Sequence, residues 1–382
     1  MKGFPPSVDI RDDTMREGLQ IEDRDIPVDE KLRLLDALGE TGLKTISIGS
    51  FVSPKLTPQM ACIDEIAERF EPRPGITYTA AVFNQKGYER ADKFYPKLNV
   101  RSRQAVTHVE VCEVFAMRNY NRTPEQMLAQ GRSTAALARQ AGAAAGAIVF
   151  GNPFGSNFQE DFSREHSLEI LRKAIDIWHS EGLSVGSCRI IDDMGVCLPD
   201  QLVDMITAIQ AEWPEISDFA LHLHNQRGVT NICYYEALKL GLTQFDTSIG
   251  GMGGCPYCGN GRTAGHVPTE DFAYLCEELG IDTGLDLDKL IEAAVIAEEV
   301  VGHPLWGHVS KAGPRPRGNR IYPADMPFVE TREEASHFRR GSSVYAHQLK
   351  PWKEGSALDT YLRSSGINGK DVSSPGGSIP PG

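Results

Sequence analysis

The chain has 382 residues, is 41% hydrophobic and carries a formal net charge of −13, which allows a large core and argues against a nucleic-acid or anionic-membrane surface. No apolar run approaches the ~20 residues that cross a bilayer, and the N-terminal MKGFPPSVDIRDD has no apolar signal core. Eight scattered cysteines are too few for a disulfide scaffold, so a cytoplasmic protein without membrane or nucleic-acid partners is expected.

Short β-branched runs alternate with helical patterns along the chain. The candidate strands are SVDIRDDT (7–14), KTISIGSF (44–51), GITYTAAVF (75–83), THVEVCEVF (107–115), GAIVFGN (146–152), LSVGSCRIIDD (183–193), DFALHLHN (218–225) and TQFDTSIGG (243–251). Helices are predicted over 28–42, 123–142, 167–182, 229–241 and 286–302. In the first, Leu32, Leu35 and Leu38 recur at helical spacing and Gly42 is a C-terminal stop. This alternation predicts a (β/α)8 TIM barrel with a C-terminal extension; a doubly wound open sheet is the alternative. Residues 1–302 form the expected barrel. Residues 303–353, with Pro, Gly, basic and aromatic side chains, form an extension packing on the barrel or a partner subunit, and 354–382 a Gly/Ser/Pro tail.

Asp12, Asp13, Arg16, Glu17, Asp192, Asp193, His222, His224 and Asn225 fall at or just past predicted strand ends, the end that carries a barrel's active site. LHLH puts His222 and His224 two apart, on one face of a strand. They read equally as adjacent metal ligands or as a hydrogen-bonded pair. RDDTMREGLQ (11–20) sets three acids beside two arginines, as a cation site with an anion-gripping arginine would; a solvated charge run is the other reading. Asp192 and Asp193 suit acid–base work, while helix capping competes for Asp193. The stretch GGMGGCPYCGNGRTAGH (250–266) contains a Cys-x-x-Cys that a redox dithiol, a metal or a single catalytic thiol would each explain.

Together RDDTMREGLQ, SFVSPKLTPQM (50–60), LHLHNQRG (221–228) and GGCPYCGNGRTAGHVPTED (253–271) resemble the DRE-TIM metallolyase superfamily, most closely its 3-hydroxy-3-methylglutaryl-CoA lyase branch. The resemblance spans residues 8 to about 290. It implies a barrel binding a divalent cation through Glu17, His222 and His224. Arg16 would stabilise an enolate, Asp192 and His222 would serve catalysis, and Cys255 would transfer a proton from a flexible loop. Gly253, Gly254, Tyr257, Gly259, Asn260 and Arg262 would belong to that substrate-covering loop, and Cys258 would occupy a position that need not be cysteine.

Three departures stand out. Glu17 replaces the usual aspartate, Ser47 stands where the branch has glutamate, and the loop has two extra residues. His266 then stands at the asparagine ligand position, with Asn260 the alternative ligand. GNGRTAGH is also similar to an element of the isopropylmalate synthase branch. Mg²⁺ or Mn²⁺ is expected, shifting towards Mn²⁺, Co²⁺ or Zn²⁺ if His266 ligates. The implied reaction is cleavage of a branched 3-hydroxyacyl-CoA to acetyl-CoA and a keto acid. The alternatives are a Claisen-condensing acyltransferase and an aldolase for non-thioester hydroxy acids. A homo-oligomer is expected.

Overall fold

The computed structural model describes residues 3–82, 84–101, 105–260, 263–315, 320–321 and 353–354. The chain divides into two compact units, Met1–Gly307 and His308–Gly382. Described parts of the second are a helical turn, Val309–Ala312, and an antiparallel pair of Arg320–Ile321 with Lys353–Glu354. Most of the expected extension, and the tail beyond Glu354, lie outside the described residues.

The first unit contains eight parallel strands: β1 Asp9–Asp12, β2 Thr45–Ser50, β3 Thr77–Ala81, β4 Val106–Glu110, β5 Ala145–Gly151, β6 Ser184–Asp192, β7 Asp218–Leu223 and β8 Gln244–Thr247. Their order is β3-β2-β1-β8-β7-β6-β5-β4. Neighbours are consecutive in the chain, and first and last strands pair in register from Asp9↔Gln244 to Asp12↔Thr247. A doubly wound sheet would reverse direction at a switch point instead. The curled order is that of a (β/α)8 barrel, with β3 and β4 at the sheet's two ends.

Helices follow the strands in turn: α1 Val28–Leu38, α2 Ile63–Arg69, α3 Gln85–Asp92, α4 Pro124–Gln140, α5 Arg164–Ser180, α6 Pro199–Glu212, α7 Thr230–Leu240 and α8 Thr269–Glu278, with a further α9 Leu287–Val301. The buried stripe of α1 is Lys31, Leu34, Leu35 and Leu38, so Leu34 rather than Leu32 belongs to it. Lys31 hides its stem and donates from Nζ to the Gln59 carbonyl (3.1 Å). Thr123 caps α4: its Oγ1 accepts from Gln126 N (3.3 Å), and its N–H donates to Gln126 Oε1 (2.9 Å).

The fourth strand stops at Glu110, not at residue 115 as the apolar run predicts. Cys112 N–H donates to Glu110 Oε1 (3.1 Å) and Phe115 N–H to Cys112 Sγ (3.3 Å). These local bonds turn Glu113–Phe115 into helix before the β pattern ends.

Between sheet and helices the core is tight. Trp178 of α5 lies over Gly146 of β5, where a Cβ would sit 2.3 Å from the indole. Tyr234, Phe245 and Phe272 form a triangle with ring centroids 4.8–5.1 Å apart, tying α7, β8 and α8 together. No helix among the described residues is long and apolar enough to cross a membrane. The Gly146→Ala variant is expected to lose about 1–3 kcal/mol of stability through overpacking, read as a lower urea midpoint; an unchanged midpoint would show that Trp178 can move aside.

Candidate metal centre and active site

At the end of β1 the chain turns back on itself, and the Asp13 carbonyl accepts from the backbone N–H groups of Arg16 (3.1 Å), Glu17 (2.8 Å) and Gly18 (3.1 Å). That tight turn brings the Arg16 and Glu17 side chains over the barrel mouth. The two neighbouring aspartates divide their work. Asp12 is fully buried, accepting from Thr14 N (2.9 Å) and Thr269 Oγ1 (2.8 Å). Burial pushes its pKa up to about 6 against the pull of those bonds. Asp13 lines the central cavity.

Glu17, His222, His224 and His266 converge, with one ligand atom from each lying within 4.8 Å of all the others. Glu17 Oε1 is 2.8 Å from His224 Nε2, and Glu17 Oε2 is 3.3 Å from His222 Nε2 and 3.5 Å from His266 Nε2. All four residues are buried. His222 lies in β7 and His224 one step past its end, so the period of two delivers both imidazoles to one side. His266 arrives by another route: its backbone bridges that of His224. That approach depends on Gly265, where a Cβ would lie 2.4 Å from the Gly253 and Met252 backbones.

The donor set fits a divalent cation. His224 Nε2 and both ring nitrogens of His266 are buried and, apart from the shared Glu17 carboxylate, meet no hydrogen-bond partner among the described residues, a costly arrangement unless something fills the centre. Burial, together with the neighbouring His222, pushes the His266 pKa down and favours the neutral imidazole that a metal requires. Burial alone would raise Glu17, but Arg16, His222 and His224 hold it well below the usual carboxylate range. Burial would likewise lower His222; Glu17 and Asp246 outweigh it and raise the imidazole to about 10.

Behind His222 sits Asp246 of β8, its Oδ2 2.9 Å from His222 Nδ1. Arg189 of β6 pairs with the same carboxylate. Asp246 is held ionised against its burial, chiefly by Arg189 and the His222 hydrogen bond. Sequence reasoning missed it, although the alternation in QFDT puts it on the same lumen face that the histidines occupy.

Asp192 is not brought into the site. Its carboxylate faces away and accepts from Met194 N (3.2 Å) and Cys197 N (2.7 Å), capping the loop before α6. The adjacent Asp193 points inward instead, with Oδ1 3.9 Å from His224 Nε2. The expected division between these two acids is therefore reversed, because β6 continues its alternation to the last residue and sends every second side chain outward. Asn152 supports Asp193: its Nδ2 donates to Asp193 Oδ2 (3.4 Å) and to both Glu110 oxygens (3.1 Å each), while its Oδ1 accepts from Asp193 N (3.0 Å). Burial, and then the charge of Asp193, push Glu110 well above the usual carboxylate range. Neither Glu110 nor Asn152 was legible as a site residue, since each sits in an otherwise apolar run and finds its partner about 40 residues away.

The glycine loop covers this side of the mouth. Gly253, Gly254 and Gly259 adopt φ of 109°, 131° and 78°, open to glycine at little cost. Arg118 Nε donates to the Tyr257 carbonyl (2.8 Å), and Asn157 Nδ2 to that of Cys258 (2.9 Å). Cys255 is half-buried and interacts electrostatically with Arg16; Cys258 is fully buried. The Asn260 side-chain oxygen accepts from Asn157, and it is His266 that stands in the cluster with Glu17, His222 and His224. Arg262 lies outside the described residues. A cavity of about 1180 Å³ opens beside the cluster, lined among others by Arg16, Ser47, Thr79, His108, Tyr120 and Asp193.

Such a barrel, with three histidines and a glutamate buried at its mouth beside an arginine, defines a metal-site α/β-barrel enzyme. Residues 7–296 match the family model described as HMGL-like. The chain is 32% identical over 305 residues to hydroxymethylglutaryl-CoA lyase YngG of Bacillus subtilis, covering 79% of this chain and 96% of that one. It is 31% identical over 322 residues to (R)-citramalyl-CoA lyase of Chloroflexus aurantiacus, covering 81% and 95%. The structure of an HMG-CoA lyase from Acinetobacter baumannii, in complex with coenzyme A and 3-methylmalate, matches with a TM-score of 0.67 and 26% identity over 83% of this chain and 100% of that one. The chain belongs to the HMGL-like family and is a lyase.

His266→Ala is expected to lose bound divalent metal on gel filtration, measured by elemental analysis, while Asn260→Ala keeps it; the opposite result would move the fourth ligand to Asn260. For Glu110 the sign follows from its raised folded pKa. Between the ordinary glutamate value of ~4.3 and that raised value, the folded chain holds a proton the unfolded chain has released, so stability falls as pH rises. Glu110→Gln removes this slope and gains on the wild type from about pH 5 to pH 8, as urea midpoints across that range would show.

Proposed function

We propose that the chain is a divalent-metal-dependent carbon–carbon lyase that cleaves a branched 3-hydroxyacyl-CoA to acetyl-CoA and a keto acid through an enolate. The observation carrying this reading is the buried Glu17–His222–His224–His266 cluster with Arg16 beside it and the Cys255 loop above. The two relatives, named as lyases of CoA thioesters, and the coenzyme A bound to the Acinetobacter structure support the substrate class.

A divalent cation at the cluster supplies Lewis acidity to the substrate's tertiary hydroxyl. Three imidazoles with one carboxylate favour Mn²⁺, Co²⁺ or Zn²⁺ over Mg²⁺. Asp246 holds the His222 ring through Nδ1 and aims Nε2 at the centre, and the inward Asp193 carboxylate, on the cavity wall 3.9 Å from His224 Nε2, takes the hydroxyl proton. As the hydroxyl carbon becomes a carbonyl, the electrons of the breaking carbon–carbon bond enter the thioester. Arg16, lining the cavity, offers its guanidinium to the resulting enolate oxygen. Cys255 then gives a proton to carbon, releasing the acetyl thioester. Closed over the mouth, the loop keeps water from quenching that enolate.

Ser47 sets the acyl group apart from 3-hydroxy-3-methylglutaryl. It is nearly buried on the cavity wall and brings no charge, while the inward acids are Asp13, Glu17 and Asp193 with Glu110 behind them. Arg11, Arg16 and Arg122 line the same cavity and suit the free carboxylate that the keto-acid product keeps, so Ser47 alters the size and polarity of the branch beside it.

The test is acetyl-CoA release from a panel of 3-hydroxyacyl-CoA thioesters, with and without chelator. Metal-dependent cleavage is expected for at least one, and Cys255→Ser should lower kcat by about 10²–10⁴-fold with little change in KM. A panel without any chelator-sensitive cleavage would sink the proposal; cleavage of free hydroxy acids alone would move the chain to the aldolase reading.

A further inference from the structure

The lyase chemistry uses Cys255 and leaves Cys258 without a task, yet the fold holds the two together. Cys258 N–H donates to the Cys255 carbonyl at 3.2 Å, closing a β-turn over Pro256 and Tyr257. Such a turn brings the outer Cα atoms within about 7 Å, and disulfides span Cα separations of about 4.4–6.8 Å. The side chains also meet. Cys255 packs against the cluster of Cys112, Phe115, Met194 and Cys258, and the neighbouring Cys255 thiol, with burial, pushes the Cys258 thiol far up. Both cysteines are free.

Their exposure differs in a useful way. Cys255 is half-buried and lies within the field of Arg16. Cys258 is fully buried, with Sγ 3.3 Å from the Asp193 carbonyl. A small oxidant therefore reaches Cys255 first and finds Cys258 as the waiting second thiol.

We propose that Cys255 and Cys258 are a redox-modification site, closing into a reversible disulfide under a peroxide and so removing the loop's proton donor. The Cys255 sulfur attacks the peroxide O–O bond, giving a sulfenic acid and one water. The Cys258 sulfur then displaces the sulfenic oxygen as a second water, so two thiols and one hydrogen peroxide become one disulfide and two waters. Bridging confines the turn and takes away the thiol that protonates carbon.

The experiment treats the reduced full-length chain with hydrogen peroxide and maps it by mass spectrometry. Tryptic cleavage after Lys239 and Arg262 releases one peptide that contains both cysteines and no other. The expected product is that peptide lighter by two hydrogens, restored by dithiothreitol. This readout stands whether or not the chain cleaves acyl-CoA. Where lyase activity is present, its loss should match the bridged fraction and reverse with it. Cys258→Ala, active in reductant, should instead accumulate oxygen adducts on Cys255 and lose activity that dithiothreitol does not fully restore. Cys258→Ser serves if the alanine variant is unstable. Oxygen adducts on wild-type Cys255 with Cys258 still free, or a bridge from Cys258 to Cys112, would overturn the proposal.

Discussion

The arrangement depends on one carboxylate placed among imidazoles out of water. Glu17 is buried, and its ionised form persists because Arg16, His222 and His224 surround it. A buried charge is tolerated only when paired. The barrel makes the pairing possible by joining its first strand to its last. That closure sets the β1 turn beside the end of β7 and within reach of the loop after β8.

A second layer orients the first. Asp246 grips His222 from below, and its own charge is met by Arg189. The Tyr234 hydroxyl donates to the Asp246 backbone carbonyl at 2.7 Å, which ties this support to the aromatic triangle in the core. On the opposite wall Asn152 links the buried Glu110 to Asp193, which faces the cavity. The site is thus built from strand side chains on one side and from a glycine segment of positive φ on the other.

The loop shows how one segment serves two constraints. Gly265 is required because the chain passes against Gly253 to deliver His266. Upstream, Gly253, at positive φ, runs against the backbone of Glu17 and Gly18. Cys-Pro-Tyr-Cys lies between these two points as a turn. Its spacing is therefore set by how the loop crosses the mouth, and the proximity of the two thiols follows from that crossing.

Much was legible in the chain itself. Periodicity located all eight strands, and the alternation in LHLH placed His222 and His224 on one face, because a side-chain period of two is a local property. The resemblance carried by RDDTMREGLQ and GGCPY identified Glu17, Arg16 and the loop as candidates. Contacts between distant segments were not legible. Asp192 and Asp193 are indistinguishable as neighbours in sequence, and only the strand's exit direction sends one to the loop backbone and the other to the site. Glu110 met Asn152, and Asp246 met Arg189, only once the strands lay side by side. The sequence by itself determined the elements, their alternation and the kinds of donor near strand ends, all of which depend on residues a few positions apart. Tertiary structure alone decided that His266 rather than Asn260 completes the cluster, because that choice rests on a backbone bridge between His224 and His266 across 42 residues of chain.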